Sequence, residues 1–397
     1  VSPAGPADRY SRLNLISWFE RPRVRAARVL VVGAGALGNE TLKALALFGI
    51  GGLAVCDFDA VELSNLTRSP LFTDADIGTN KAVAAAAALR RINPEILVVP
   101  LALDVRGEVG TAFFRPFDVV VGAVDSREGR LAINRACWRV ERPFVDGGLD
   151  VFSGVVKVFV PPSTACYECT MSPEDHAVLP RRNSCGLLAQ AAEAAGAVPT
   201  TPVSAGVAGA LQAQEVLKLL HPDAPGRRLA GEGYAFDGLW FEPMLVRYPR
   251  RPDSECRSHV TYPDLEVLPG DRRRTTVAEL AAWAARADGG ECTFIRFERD
   301  ILLTFECDAC HTSEPVRRPE TLYRGEPPPC PGCGSRNRRA GRILSGVIPE
   351  EYPTATLADL GVPPMDVLHL QTGDRTRRVT LGGDARELFP DGFLEPT

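Results

Sequence analysis

The strongest constraint on the fold is a short β-favouring run, Arg28 to Val32, that ends in Gly33-Ala34-Gly35-Ala36-Leu37-Gly38 and passes straight into an apolar helical pattern over 37–48. Glycines at the first, third and sixth places let the chain turn tightly and approach a phosphate closely, with a helix N-terminus facing its charge. The alternation then continues. An apolar stretch over 53–56 ends in Asp57 and Asp59, and an Ala-rich helix over 81–92 is stopped by Asn93 and Pro94. Apolar residues recur over 97–101 and 118–122, 106–113 reads as part of the same alternation, and a helix capped by Ser126 runs to Val140. Strands separated by helices specify a mostly parallel sheet covered on both faces, so the first 150 residues are expected to form an α/β, doubly wound, Rossmann-like domain.

At about 100–200 residues per domain, a chain of 397 residues has room for more than one. Residues 155–160 are strand-like, 161–202 form a crossover containing Pro and Ser with no strong periodicity, and a helix resumes over 203–220. Turn residues dominate 221–269; beyond 272 the chain has its own helix over 277–285, its own strands and its own cysteine pairs. A boundary near 268 is expected, giving a nucleotide-binding domain over 1–268 and a smaller α+β domain over 269–397. In the latter, Val367 to Leu370 and Arg377 to Leu381 around Gly373-Asp374 read as a hairpin.

Asp57 lies 24 residues after Gly33, at the end of the second strand, where a carboxylate can accept hydrogen bonds from a ribose. A dinucleotide brings only two phosphate charges. This chain offers Arg68, in the loop with Asn65, and Lys81 at the start of the next helix, cations enough to spread over a triphosphate. Asp125, directly past the fourth apolar run, sits at the carboxyl edge where such sheets bind ligands and is a natural magnesium ligand. These residues favour nucleotidyl transfer over the alternatives of an NAD-dependent dehydrogenase or an inactive scaffold.

Taken in order, Gly33 to Gly38, Asp57-Phe58-Asp59, Ser64 to Arg68, Asp76 to Ala82 and Ala123 to Ser126 resemble the ThiF/MoeB/HesA family of the ubiquitin-activating enzyme superfamily, over about residues 9–260. The resemblance implies adenylation with ATP and Mg²⁺. The C-terminal glycine carboxylate of a ubiquitin-like or sulfur-carrier protein attacks the α-phosphate, and pyrophosphate leaves. It implies Gly33, Gly35 and Gly38 as the turn around the phosphates, Ala36 as a backbone donor to them, and Asp57, with Asp59 beside it, at the ribose. It implies Asn65, Arg68 and Lys81 at the polyphosphate and Asp125 at the magnesium. Arg9-Tyr10-Ser11-Arg12 is similar to the family element whose second arginine reaches the partner subunit's ATP, so a homodimer is expected; Leu13 stands where the family has glutamine. A carboxylate and a triphosphate repel one another, and Arg12, Arg68, Lys81 and the metal would have to neutralise that charge. No general base is needed, because the attacking carboxylate is already ionised at neutral pH.

Eleven cysteines fall mostly into short-spaced groups, which in a reducing compartment signals metal binding or catalysis rather than bridging. Cys307-x-x-Cys310 and Cys330-x-x-Cys333, nineteen residues apart, have the spacing of a zinc ribbon. Cys166-x-x-Cys169 needs a second half; the family expects another CxxC, and this chain has Cys256-x-x-His259, so a closed, structural Cys₃His zinc site is expected. Two structural Zn²⁺ ions follow. Cys185, on the crossover, is similar in position to the family's reactive cysteine, which takes the activated glycine as a thioester or enters a persulfide relay, and a longer segment follows it here than in the family. Cys56, Cys137 and Cys292 lie in apolar contexts and read as core residues.

The net charge of −5 argues against nucleic acid as a main partner. No run of 18 apolar residues exists and the first 25 residues lack a secretory pattern, so no membrane partner and a cytoplasmic location are expected. The C-terminal domain shows no catalytic constellation and reads as a docking module for the carrier or a conjugating enzyme. The main alternative keeps adenylation but gives it a peptide or modified tRNA carboxylate.

Overall fold

The computed structural model of the chain describes residues 8–172, 174–175, 199–323 and 327–394. They form two compact units that interleave in sequence. The first takes the chain up to Ala102, Pro116–His259 and the residues from Asp391 on; the second takes Leu103–Arg115 and Val260–Pro390. A single cut near 268, as composition suggests, therefore does not separate them.

The first unit is built on an eight-stranded sheet. Its strands are β1 (Arg28–Val32), β2 (Gly52–Cys56), β3 (Leu97–Leu101), β4 (Val119–Gly122), β5 (Phe144–Leu149), β6 (Ser153–Phe159), β7 (Glu232–Asp237) and β8 (Glu242–Arg247), in the order β3-β2-β1-β4-β5-β6-β7-β8. The first five are parallel and the last three antiparallel. β1 and β4 are nearly continuous Val and Leu runs and β2 is buried along its whole length, because both faces of these strands are covered. The helices are α1 (Arg21–Ala26), α2 (Ala36–Phe48), α3 (Lys81–Ile92), α4 (Arg127–Arg139) and α5 (Pro202–Leu220). Each of the last three starts on a sequence signal: Asn80 caps α3, Ser126 caps α4, and Thr201 followed by Pro202 opens α5. The chain leaves β1 toward β2 and β3, then returns to β4 on the other side of β1. The β1–β4 boundary is thus the topological switch point, where open α/β sheets bind ligands. Gln212 of α5 ties this region together, accepting a hydrogen bond from Thr41 Oγ1 (2.7 Å) and donating to the carbonyl of Gly122 (2.9 Å) at the end of β4.

Residues 106–113 do not form an element of this sheet. They are turn and 3-10 structure in the second unit, where the Gly110 and Ala112 amides donate to the carbonyls of Pro364 (2.9 Å) and Met365 (3.1 Å). Two glycines in eight residues oppose a helix, and those backbone bonds offer an alternative.

The second unit carries β9 (Glu266–Leu268), β10 (Cys292–Cys307), β11 (Ser313–Pro319), β12 (Arg338–Ala340), β13 (Ile343–Val347), β14 (Leu368–Thr372) and β15 (Arg375–Leu381) in a sheet ordered β11-β10-β14-β15-β9, with β12 and β13 also on β10. α6 (Val277–Asp288) opens on a capping box between Thr276 and Glu279 and packs Val277, Leu280 and Ala284 into the core. The hairpin read around Gly373-Asp374 is the β14–β15 pair.

Asp366 in this unit is fully buried beside Arg299 (3.0 Å), and burial pushes its carboxyl up to about 6. Its folded-state value lies above the unfolded one, so its contribution to stability is fully present below about pH 4 and is lost as pH rises through about 6. The melting temperature of the second unit is expected to fall across that window, and Asp366→Asn to flatten the slope; an unchanged pH profile in the variant would contradict this.

Candidate functional site

The Gly-rich turn stands at the switch point. Gly33 has φ +95°, and a side chain on it would collide with the Ala123 carbonyl at the end of the neighbouring strand; one on Gly38 would collide with the Gly33 carbonyl. Both glycines are therefore demanded by the protein's own packing. Gly35 is different: a Cβ there would meet nothing within 4 Å, so the turn leaves open space beside it at the N-terminus of α2. Asn39 braces the turn, donating from Nδ2 to the Ala34 carbonyl (2.7 Å) while its Oδ1 accepts from the Leu71 amide (2.9 Å).

Asp57 is fixed from both sides, Oδ2 accepting from the Ala34 amide (2.7 Å) and Oδ1 from the Asp59 amide (2.8 Å). Burial raises its pKa, and those amide hydrogen bonds pull in the opposite direction. Asn80 Nδ2 reaches the Asp57 and Asp59 carbonyls (2.9 and 3.1 Å), and Lys81 Nζ pairs with Asp59 Oδ2 (3.0 Å). Asp57, Asp59 and Lys81 are thus one connected group beside the turn. Asn65 spends its Oδ1 on the Glu62 amide (2.9 Å), and Arg68 rests on the Ser64 carbonyl (2.9 Å). Asp125 is exposed, past the end of β4 and one residue before the α4 cap. Arg12 is exposed with no side-chain hydrogen bond or ion pair among the described residues. Its neighbour Tyr10 is buried, with the Arg21 guanidinium 3.7 Å from its ring centroid and Asn93 Nδ2 donating to its hydroxyl (2.8 Å), so the segment carrying Arg12 is anchored.

Among the described residues two clusters could hold a metal ion: Cys166, Cys169, Cys256 and His259, and Cys307, Cys310, Cys330 and Cys333; within each, the ligand atoms lie within 4.8 Å of one another. In the first, Cys166 Sγ is 3.7 Å from Cys169 Sγ and 3.5 Å from Cys256 Sγ, and Cys169 Sγ is 3.3 Å from His259 Nε2. The hydrogen bond between the two CxxC thiols holds Cys166 up and Cys169 down. His259 is oriented by Asp253 at Nδ1 (3.1 Å) and by stacking on Trp138 (4.4 Å), which leaves Nε2 facing the sulfurs. α4 grips the cluster elsewhere too: Asn134 Oδ1 accepts from the Tyr167 amide (2.8 Å), Asn134 Nδ2 donates to Ser258 Oγ (2.9 Å), Ser258 donates to buried Glu168, and Arg135 pairs with Glu168 (3.3 Å). In the second cluster Cys307 and Cys333 lie 3.6 Å apart and Cys310 and Cys330 3.7 Å apart; the Thr312 hydroxyl draws Cys310 down to about 6.

Cys185 lies outside the described residues. Cys56, Cys137 and Cys292 are buried, and burial raises the Cys137 and Cys292 thiols. Sequence reasoning passed over Asn39, Asn80, Trp138 and Asp253; only Asn80, directly before an Ala-rich helix, carries a legible signal, that of an N-cap.

Fold and site together define a Rossmann-type domain with a ligand edge at its switch point and a four-residue thiol–imidazole cluster behind α4. Residues 9–258 match the ThiF family, and the chain belongs to it. It is 35% identical to the SAMP-activating enzyme E1 of Haloferax volcanii over 63% of this chain and 87% of that one, and 34% identical to the sulfur carrier protein adenylyltransferase of Thermus thermophilus over 62% and 89%. Among solved structures, E. coli MccB with ATP is 25% identical with a TM-score of 0.53, covering 64% of this chain and 74% of that one. Among the described residues no helix is long and apolar enough to cross a membrane.

Proposed function

We propose that the chain adenylates the C-terminal glycine carboxylate of a ubiquitin-like or sulfur-carrier protein at the expense of ATP, releasing pyrophosphate. The observation that carries this reading is the connected group of Asp57, Asp59 and Lys81 beside an open Gly-rich turn at the switch point, in a chain similar over that whole domain to enzymes named for activating such carriers. Asp57 takes the ribose hydroxyls. The phosphates fill the space at Gly35, where the α2 N-terminus and the Ala36 amide favour their charge. Lys81 exchanges Asp59 for phosphate oxygen, and Asn65 and Arg68 extend the cationic and donor surface. Asp125 would hold Mg²⁺, which would neutralise phosphate charge when bound. Arg12 acts on the nucleotide of a partner subunit in a homodimer. With charge neutralised, most of the acceleration comes from placement and orientation of the two anionic reactants.

The two clusters suit structural zinc. Zn–S arms of about 2.3 Å at the tetrahedral angle set sulfurs about 3.8 Å apart, close to the 3.5–3.7 Å separations here. Four protein ligands leave no open position for catalysis. Cys185 would accept the activated glycine as a thioester or serve a persulfide relay. The likeness to MccB supports, as second reading, a peptide carboxylate in place of the carrier.

ATP–pyrophosphate exchange driven by small glycine-ended proteins tests the reading; no exchange with any of them would overturn it. The turn gives a finer check. Gly38→Ala is expected to destabilise the first unit by about 3 kcal/mol, whereas Gly35→Ala costs under about 1 kcal/mol but weakens ATP binding at least tenfold, because its methyl occupies the phosphate space. Wild-type ATP affinity in Gly35→Ala, by calorimetric titration, would move the phosphates elsewhere.

A further inference from the structure

A cavity of about 500 Å³ opens in the first unit between the antiparallel strands and α4, lined among others by Arg127, Lys157, Tyr167 and Asp237. Arg127, which follows Asp125 by two residues, and Arg130 bring the first turns of α4 to the cavity wall. Strand register orders its charges. Ser153, Asp237 and Glu242 are cross-strand partners at one end; Val155, Ala235 and Met244 form the next rung on the same face; Lys157, opposite Gly233, forms the third. Four residues of β6 separate the ends, about 13 Å at the strand rise.

The two ends differ in what satisfies them. At the inner end Arg130 pairs with buried Asp146 (3.4 Å), and Lys157, directly across the strand pair from that same carboxylate, has its ammonium 5.4 and 5.6 Å from the rings of Tyr167 and Tyr248 with no hydrogen bond among the described residues. Arg127 is paired with Asp175. At the outer end no described cation pairs with Asp150, Asp237 or Glu242. Asp150 Oδ1 accepts only the Val151 amide and Asp237 Oδ1 the amides of its own turn, and Glu242 is exposed. Like charges directly opposite across a strand pair are destabilising, so Asp237 facing Glu242 is a cost that a bound cation would offset. An apolar rung between carboxylates that pair with no described cation and an ammonium whose hydrogen bonds are unused fits an extended segment that brings a cationic side chain to one end and main-chain carbonyl oxygens to the other.

We propose that this cavity is a specificity site selecting a lysine or arginine in the C-terminal segment of the protein or peptide being activated, with Glu242 and Asp237 reading the cation and Lys157 holding the segment's carbonyls. This rests on the proposed activation of a carboxylate-ended chain. The test is equilibrium binding to the full chain, with a non-hydrolysable ATP analogue present, of fluorescent octapeptides ending in Gly-Gly that carry Lys, Ala or Glu at the third to sixth residue from the end. At its best position the Lys peptide is expected to bind about 5- to 10-fold tighter than the Glu peptide. The preference should shrink at high salt and reverse in Glu242→Lys, whose exposed position spares the fold, with the melting temperature as control. A preference below twofold, its persistence in Glu242→Lys, or no binding of any peptide at millimolar concentration would overturn the proposal. Pyrophosphate exchange with a glycine-ended carrier by the wild type judges the adenylation reading separately.

Discussion

Replacing Asp125 with alanine is expected to lower ATP–pyrophosphate exchange by about 10²–10³-fold with the fold intact. The side chain is exposed, so its loss opens no cavity; what disappears is the one carboxylate standing directly past β4 at the switch point. In the proposed reaction a carboxylate meets a triphosphate, and a residue that would hold a divalent cation for it would act mainly in the transition state, so kcat should fall more than the apparent affinity for ATP. Lys81→Ala is the useful comparison. Its ammonium is already paired with Asp59, so its removal also frees that carboxylate and should raise the KM for ATP. Exchange within threefold of wild type in Asp125→Ala would remove this residue from the chemistry.

The second large effect is on stability. Purified protein is expected to hold two zinc ions, and Cys256→Ala one, with the melting temperature of the first unit lowered by more than about 10 °C. Three buried sulfurs and a buried imidazole are drawn together there from segments about 90 residues apart, and without an ion those groups have little reason to converge. Metal content by mass spectrometry and calorimetry decide the matter: the same metal content in Cys256→Ala as in the wild type, with an unchanged melting curve, would show that the Cys₃His set holds none.

What could be read from the sequence was whatever depends on local spacing. The Gly-rich turn, the capped helices and both metal-capable clusters announce themselves because residues a few places apart must act together: Gly33 with Gly38, Cys307 with Cys310, Ser126 with the helix it opens. Asp57 was legible because a strand end at a fixed distance from a turn has few places to go. The charges of the cavity were not, since Asp237 faces Glu242, and Lys157 faces Asp146, only once the antiparallel register of β5 to β8 is known. Trp138 and Asp253 escaped for the same reason; nothing on helix α4 marks which of its residues will lie against a histidine 121 positions later. The stretch over 106–113 was misplaced because its backbone partners, Pro364 and Met365, are remote in sequence.

The interleaving of the two units bears on how such a chain can be cut or shortened. Residues 103–115 leave β3 and return to β4, yet their backbone bonds and the stacking of Phe113 on Phe389 belong to the second unit. Ending the chain near 268 would strip this excursion of its partners and strand Val109, Phe113 and Phe114, all buried, in the middle of the first unit's own β3–β4 connection. The second unit is thus woven into the first by covalent topology. A shortened enzyme would need the β3–β4 link redesigned together with the truncation, and one change made without the other should yield insoluble protein.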